Sequence, residues 1–275
     1  MPAHLSVAIA NCRKRPAPCS AVQPQAQRHV GQYRQPHQIG ALKQHRLAQA
    51  RLLLYRLDTT KAQLQPLGSV TGGAGEAYGV CLAPHAGGLD AYSILKHGAV
   101  HQIRITLGAG APQGAIVRSL QLATQTEGCV TDPRSGMLYV GEEDVGIWAF
   151  PMAETARSGL LVAPVDGRHL FADVEGLALI QQGRRGGWLV ASSQGDNGYA
   201  LFRLPDFAPA GRFRITKGAF GATEQNDGIA LEAGSFGAKL PEGLFIAQDG
   251  HNAPLAQNFK LVSWGDVRAA LRRRK

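Results

Sequence analysis

The sequence predicts an all-β fold of the β-propeller type, and three observations support this. A polar residue followed by glycine opens four successive apolar segments, spaced 49, 48 and 52 residues apart. Each segment precedes a second apolar run that ends in polar residues, and then a third, alternating run. Repeats of about 40–50 residues built from short strands are typical of propellers, whose equivalent positions meet at one rim. The four opening residues are Tyr78, Glu127, Glu175 and Asp227.

From residue 52 onward the chain has the pattern of short strands separated by turn-forming residues. Residues 132–136 and 183–187 are rich in Asp, Pro and Gly, and they predict turns between the first and second strands of two repeats. Residues 195–198 predict the turn from a second strand to a third. The one predicted helix begins at Trp264 and runs toward the basic C-terminal residues.

The net charge of +9 is concentrated near the N-terminus. Nine of the 29 Lys and Arg residues lie in residues 1–57, which hold no acid, so the remaining chain balances 20 basic against 20 acidic residues. A basic, Gln-rich arm could bind nucleic acid or a membrane, but disorder, or a start that is not native to the fold, agrees better with its composition. We therefore divide the chain into segment 1–50, a partial propeller domain 51–266 and a basic tail 267–275, and we expect a monomer with neither nucleic acid nor membrane as partner.

The four cysteines, Cys12, Cys19, Cys81 and Cys129, show no metal-binding spacing. Cys81 and Cys129 lie in first strands, where we expect buried free thiols. The N-terminus shows no clear signal peptide, because the basic run 13–15 follows the apolar run 5–10.

Acidic and amide side chains recur in register across the repeats. Carboxylates that meet at a rim cannot all stay ionised without cations. Oxygen ligands without nearby Cys or His suit Ca²⁺. The alternative is that these are solvated turn residues at strand ends; their common register favours a site. The candidate set is Tyr78, Glu127, Glu143, Asp173, Glu175 and Gln194.

Several motifs in this region, taken in order, resemble those of β-propeller phytases. The resemblance extends from about residue 52 to 266. It is carried by residues 126–130 (TEGCV), 138–148 (LYVGEEDVGIW), 166–170 (DGRHL), 173–177 (DVEGL), 191–195 (ASSQG), 226–229 (NDGI), 247–252 (AQDGHN) and 257–260 (QNFK).

This resemblance implies a six-bladed propeller and a 3-phytase-type phosphoric monoester hydrolase. Such enzymes hydrolyse phytate, myo-inositol hexakisphosphate, as its calcium complex, and several Ca²⁺ ions activate a water without a covalent intermediate. By residue-level match, the six candidate residues fall on calcium and cleavage positions. Lys96 falls on a phosphate-binding lysine, and Asp227, Asp249 and Asn252 fall on structural calcium positions.

The sequence departs from the family pattern before residue 52. The Asp-Asp-Pro-Ala-Trp type motif and the basic phosphate-binding pair of the first blades are absent from it, and so is an aspartate expected shortly before Asn226. The pattern therefore predicts a propeller without its first one or two blades, and weak or no activity. A non-catalytic propeller fragment is the alternative, and a calcium-dependent lactonase is a more distant one. The resemblance implies a secreted or periplasmic protein, whereas the N-terminus indicates no export route.

Overall fold

A computed structural model describes residues 40–44, 49–85, 88–218 and 221–272. Most of segment 1–50 lies outside these residues, so its disorder and the first domain boundary stay predictions. Within it, a strand at Gly40–Gln44 pairs with the strand at Ala50–Asp58.

The described residues divide between two compact units, one that ends at Ala123 and one that begins at Thr124. In the described part of the first unit, the first three strands form one antiparallel sheet and the next four form another, each with sequential strands adjacent. The strands are β1 (Gly40–Gln44), β2 (Ala50–Asp58), β3 (Gln63–Gly73), β4 (Ala77–His85), β5 (Gly88–Leu95), β6 (Ala99–Thr106) and β7 (Gln113–Gln121).

The described part of the second unit contains three further sheets, a 3-10 turn at Gln194–Asp196 and one α-helix. Its elements are β8 (Thr126–Asp132), β9 (Met137–Glu142), β10 (Gly146–Pro151), β11 (Leu160–Pro164), β12 (Val174–Gln182), β13 (Gly186–Ser193), β14 (Gly198–Leu204), β15 (Pro209–Phe213), β16 (Ile229–Glu232), β17 (Leu244–Asp249), β18 (Asn258–Ser263) and α1 (Trp264–Arg272). The sheets run β8 to β11, β12 to β15 and β16 to β18, with sequential strands adjacent. The all-β prediction is confirmed.

The strands follow the apolar runs of the sequence, and the predicted turns join them. Residues 133–136 connect β8 to β9, and residues 183–185 connect β12 to β13. The second strands are buried almost throughout: β9 and β13 each expose little beyond their first residues. Such continuous apolar runs belong to strands covered on both faces. The first strands β8 and β12 are buried over their opening residues as well, and this burial places the polar residues that begin them inside the unit.

An aromatic cluster anchors the last sheet of the second unit. The rings of Tyr199 and Phe213 stack with centroids 4.9 Å apart, and Phe245 meets both rings edge-on at 5.0 and 5.3 Å. Offset and edge-on pairs are the favoured aromatic geometries. Helix α1 packs on this cluster through Trp264 and Val267. The predicted terminal helix is thus confirmed, and the predicted boundary at 266 falls within it.

The two cysteines of the first strands are not free thiols. Cys81 and Cys129 are both disulfide-bonded, so the expectation of buried free thiols is wrong. Sequence pattern cannot show which thiols approach each other, because that depends on Cα separations of about 4.4–6.8 Å in the folded chain.

Among the described residues, no helix has the length and apolar character needed to cross a membrane.

The aromatic cluster gives a test of the fold. Phe245 is fully buried, so we expect Phe245→Ala to lower the free energy of unfolding by about 3–5 kcal/mol. The matched control is Phe259→Ala on the neighbouring strand, where the side chain is 63% exposed and the change should stay within about 0.5 kcal/mol. Urea unfolding followed by tryptophan fluorescence measures both. Equal losses in the two variants would contradict this packing.

Candidate functional site

The first strand of each of three sheets, here called its inner strand, is irregular at the polar residue that repeats along the sequence. The pairing of β4 with β5 shifts between Ala77 and Gly79, and that of β12 with β13 shifts between Val174 and Leu177. The pairing of β8 with β9 shifts in the same way, between Thr126 and Cys129. A bulge leaves its extra residue unpaired and re-aims the side chain. The residues left unpaired in this way include Tyr78, Glu127 and Glu175.

The glycine that follows each glutamate allows neighbouring inner strands to approach closely. A Cβ atom added to Gly128 would lie 1.8 Å from the carbonyl oxygen of Glu175. A Cβ atom added to Gly176 would lie 2.6 Å from the carbonyl oxygen of Asp227. The amide of Gly176 also donates a hydrogen bond to that oxygen, at 3.1 Å. No side chain larger than hydrogen fits at either place, so the polar-glycine repeat is a packing requirement.

Three of the predicted residues come together as a compact acidic cluster. Each of Glu127, Glu143 and Glu175 offers a carboxylate oxygen, and these oxygens all lie within 4.8 Å of one another. The three residues are buried, with exposed fractions of 5%, 9% and 4%. Glu127 and Glu175, which are one repeat of 48 residues apart, therefore meet as the repeat spacing predicts, and Glu143 joins them. We name this group the glutamate triad.

The geometry of the glutamate triad fits a hard cation. Two carboxylates at this separation repel by roughly 3 kcal/mol at an effective dielectric constant of about 20, and a shared cation would offset this repulsion. Oxygens spaced within 4.8 Å can all reach one central ion at the Ca²⁺–oxygen distance of about 2.3–2.6 Å. The donors are all oxygen, which disfavours zinc and other metals that prefer nitrogen or sulfur.

The adjacent residues Glu142 and Glu143 have different partners, which the strand pattern alone does not predict, although the family resemblance selects Glu143. Glu142 accepts hydrogen bonds from the backbone amide and hydroxyl of Thr124, at 2.7 and 2.8 Å, and from the Trp148 indole at 2.8 Å. These bonds make it a structural residue. Glu143 instead accepts a bond from the side-chain amide of Gln125 at 2.6 Å, and its own backbone amide donates to the Gln125 carbonyl at 2.9 Å. Gln125 is a site residue that the sequence analysis missed, although it precedes Glu127 by only two positions.

The predicted residues Asp173, Gln194 and Asp227 form a second group beside the triad. The Asp173 carbonyl accepts the backbone amide of Gln194 at 2.9 Å, and the Gln194 side-chain amide donates to Asp227 at 2.5 Å. Gln248, also missed in the sequence, donates to the other Asp227 oxygen at 3.0 Å. Asp173 is half-buried and lies two residues before Glu175; the triad itself comprises the three glutamates. Gln194 is thereby oriented with its amide NH₂ toward Asp227.

Asp249 and Asn252, predicted as structural calcium ligands, share a lysine. The Lys260 ammonium lies 3.0 Å from the buried Asp249 carboxylate and 3.4 Å from the Asn252 side-chain oxygen. Asp249 also accepts the backbone amide of Glu224 at 3.1 Å. The ammonium supplies the positive charge that a buried carboxylate needs, so a cation would compete with it here. Calcium ligation by these two residues stays a prediction.

In the first unit, Tyr78 and Lys96 contact each other. The Lys96 ammonium lies 5.0 Å from the centroid of the Tyr78 ring, within the range of a cation–π interaction. The backbone amide of Lys96 donates to the Glu76 carbonyl at 3.0 Å, which fixes the residue at the end of β5. The two residues of the first unit that the sequence singled out therefore form one local pair.

Comparisons with known proteins agree with this picture. A family model described as Phytase matches residues 39–275. The chain is 36% identical over 228 residues to the 3-phytase of Bacillus subtilis (strain 168), which covers 78% of this chain and 60% of the relative. Among solved structures, the WD40 domain of coronin from Toxoplasma gondii aligns with a TM-score of 0.53 at 11% identity, over 81% of this chain and 53% of that chain. The last similarity concerns fold alone, since WD40 domains are propellers.

The close approach at Gly128 provides a test of the site architecture. We expect Gly128→Ala to destabilise the second unit by about 1–3 kcal/mol or more, because the new methyl group must push the Glu175 carbonyl away. Gly218→Ala is the matched control, because a Cβ atom there meets no atom within 4 Å. Urea unfolding and circular dichroism compare the variants. Unchanged stability of Gly128→Ala would contradict the strand separation described above.

Proposed function

Because the chain belongs to the phytase family, we propose that it hydrolyses phosphate monoesters of phytate as the calcium complex of that substrate. The observation that carries this proposal is the buried glutamate triad. The chain spans 60% of the length of the 3-phytase it matches, so the substrate and activity of that relative are proposals here.

Calcium is the cation that best suits the glutamate triad on chemical grounds. When bound, it would supply charge neutralisation and Lewis acidity toward a phosphate ester and toward water. Glu127, Glu143 and Glu175 would hold it, with Asp173 and Gln194 close by on the neighbouring segments. Tyr78, Asp227, Asp249 and Asn252 complete the proposed ligands of several ions.

The protein's own residues orient the site and bind the substrate. Gln125 fixes one oxygen of Glu143, and Asp227 fixes the Gln194 amide. The side chains of Glu143 and Gln194 are therefore already ordered before substrate binds. The bulged inner strands place the Glu127 and Glu175 carboxylates in a buried position, and burial strengthens the electrostatic interactions within the site. Lys96 supplies a cation for a substrate phosphate. The Lys96 ammonium lies 5.0 Å from the centroid of the Tyr78 ring.

A second candidate function is supported by the departures in sequence. The basic phosphate-binding pair and the Asp-Asp-Pro-Ala-Trp type motif of the family are absent from this sequence. A chain with the triad but without that pair could bind divalent cations without turning over phytate. We therefore expect the 275-residue chain to hydrolyse phytate slowly or not at all, and to gain activity when joined to the N-terminal repeats of the relative.

The metal site gives one test. We expect Glu143→Gln and Glu175→Gln each to weaken Ca²⁺ binding by at least about tenfold, because each removes one charge from a cluster whose pairs interact by roughly 3 kcal/mol. Glu242→Gln is the matched control, because its exposed carboxylate pairs with Arg268 outside the triad. Isothermal titration calorimetry measures the affinities. The joined enzyme should release phosphate only with Ca²⁺ and lose this activity in EDTA.

The outcomes separate the candidate functions. Ca²⁺ binding by the chain, with phosphate release only after the N-terminal repeats are joined, supports the proposal. Binding without release in either form favours the non-catalytic alternative. Phosphate release that persists undiminished in EDTA would refute the metal mechanism.

Lys96 gives a test that concerns substrate and not metal. In the joined enzyme, we expect Lys96→Ala to raise KM for phytate by about tenfold, because a hydrogen bond to a charged group is worth about 1.5–3 kcal/mol. The value of kcat and the Ca²⁺ affinity should change little. Lys61→Ala is the control, since this lysine is 66% exposed and pairs with Asp58. A loss confined to kcat would show that Lys96 does not act through substrate binding.

A further inference from the structure

Two loops carry proposed site residues and lie against each other in the second unit. The segment 165–173 connects β11 to β12 and ends at Asp173. The 3-10 turn Gln194–Asp196 follows β13 and begins with Gln194. The relative position of these loops therefore sets the relative position of Asp173 and Gln194.

The two loops pack backbone against backbone. The Gln194 amide donates to the Asp173 carbonyl at 2.9 Å, and a Cβ atom added to Gly195 would lie 1.8 Å from the Ala172 carbonyl oxygen. The Ser193 hydroxyl accepts the Phe171 amide at 3.2 Å and lies 3.1 Å from the Phe171 carbonyl. These contacts are short-range, so they persist only while the loops stay in register.

One side chain from a third element contacts both loops. Arg212 lies on β15, the outer strand of the same sheet, and its Nη2 donates to Asp196 Oδ1 at 2.6 Å and to Ser193 Oγ at 3.2 Å. The same guanidinium lies 4.5 Å from the centroid of the Phe171 ring. Its Nε is buried without a hydrogen-bond partner among the described residues. The position of the guanidinium between the two loops therefore leaves one buried donor unsatisfied.

We propose that Arg212 is a positioning residue that clamps the Asp173 loop to the Gln194 turn and so fixes the geometry of the site. This inference rests on the proposed function for its consequence, although the clamp itself is a property of the fold. A guanidinium suits the role because its planar fork can bond a carboxylate while its face stacks on an aromatic ring, which an ammonium cannot do together.

A second arginine shares the Asp196 carboxylate with Arg212. Arg214 donates to the other Asp196 oxygen at 2.8 Å, and its side chain is 57% exposed. The Phe171 ring contact is made by Arg212. The two arginines thus share one carboxylate but differ in the loop contact.

The chain offers matched controls for a test. Arg212→Ala removes the contact with both loops, whereas Arg214→Ala removes an equal charge from the same carboxylate. Arg203→Ala removes an arginine that pairs with Asp206 in the turn between β14 and β15, at the opposite end of the sheet from the Gln194 turn. Amide hydrogen exchange by mass spectrometry on the full chain reads the two loops directly. Ca²⁺ titration by calorimetry reads the site.

We expect Arg212→Ala to accelerate exchange in peptides covering 171–175 and 193–197 by at least about tenfold, since a hydrogen bond to a charged group is lost. Ca²⁺ affinity should fall in parallel while the thermal midpoint and the exchange of β13 and β14 stay near those of the wild type. Arg214→Ala and Arg203→Ala should have little effect on the loops. This pattern would support the clamp.

Three results would overturn the clamp. The first is wild-type exchange in both loops of Arg212→Ala. The second is an equal acceleration in Arg214→Ala, which would show that charge on Asp196 suffices. The third is a uniform acceleration across the sheet, which would show a general structural role. If the wild-type chain does not bind Ca²⁺, the proposed metal function fails, and the exchange comparison still decides the clamp.

Discussion

The site depends on one steric constraint, the close approach of neighbouring inner strands at Gly128 and Gly176. Each glycine has its Cα facing the backbone of the next inner strand, where the distance leaves no space for a Cβ atom. The residue before each glycine occupies a bulge, so its side chain is not committed to the alternation of the sheet. A packing requirement thus delivers Glu127 and Glu175 to one place, and burial follows because the strands that carry them are interior.

Burial gives the acidic residues different roles according to what faces them. Asp249 is even more buried than the triad residues, but Lys260 lies 3.0 Å from it and balances its charge within the protein. Glu142 is satisfied by Thr124 and Trp148. The glutamate triad instead places three carboxylates within 4.8 Å of one another, where mutual repulsion favours a shared cation. A buried charge must be compensated, and the second unit shows three arrangements around buried carboxylates: an ion pair at Asp249, hydrogen bonds at Glu142 and a candidate metal centre at the glutamate triad.

Much of this architecture could be predicted from the sequence because its signals are local. The alternating runs and turn residues predicted the strands, and the polar-glycine dipeptides at spacings near fifty predicted that Glu127 and Glu175 meet. The strand pattern alone does not separate Glu142, the last residue of β9, from Glu143, which follows it. The family resemblance selected Glu143, and the structure shows that the two residues meet different neighbours. Gln125 and Gln248 were missed for a related reason: each acts through another side chain, at 2.6 and 3.0 Å, and an amide that orients a carboxylate has no spacing signature of its own.

By itself, the sequence determined the fold class, the family and the set of acidic positions in register, because strand pattern, glycine placement and repeat spacing are all written in residue order. The tertiary structure alone decided the partners. It brings three glutamates together in the triad, pairs Asp249 with Lys260 and shows that Cys81 and Cys129 are disulfide-bonded. It also placed Arg212 between two loops that the sequence separates by about twenty residues. Hydrogen bonds, ion pairs and ring contacts act over a few ångströms, and only the folded chain fixes distances on that scale.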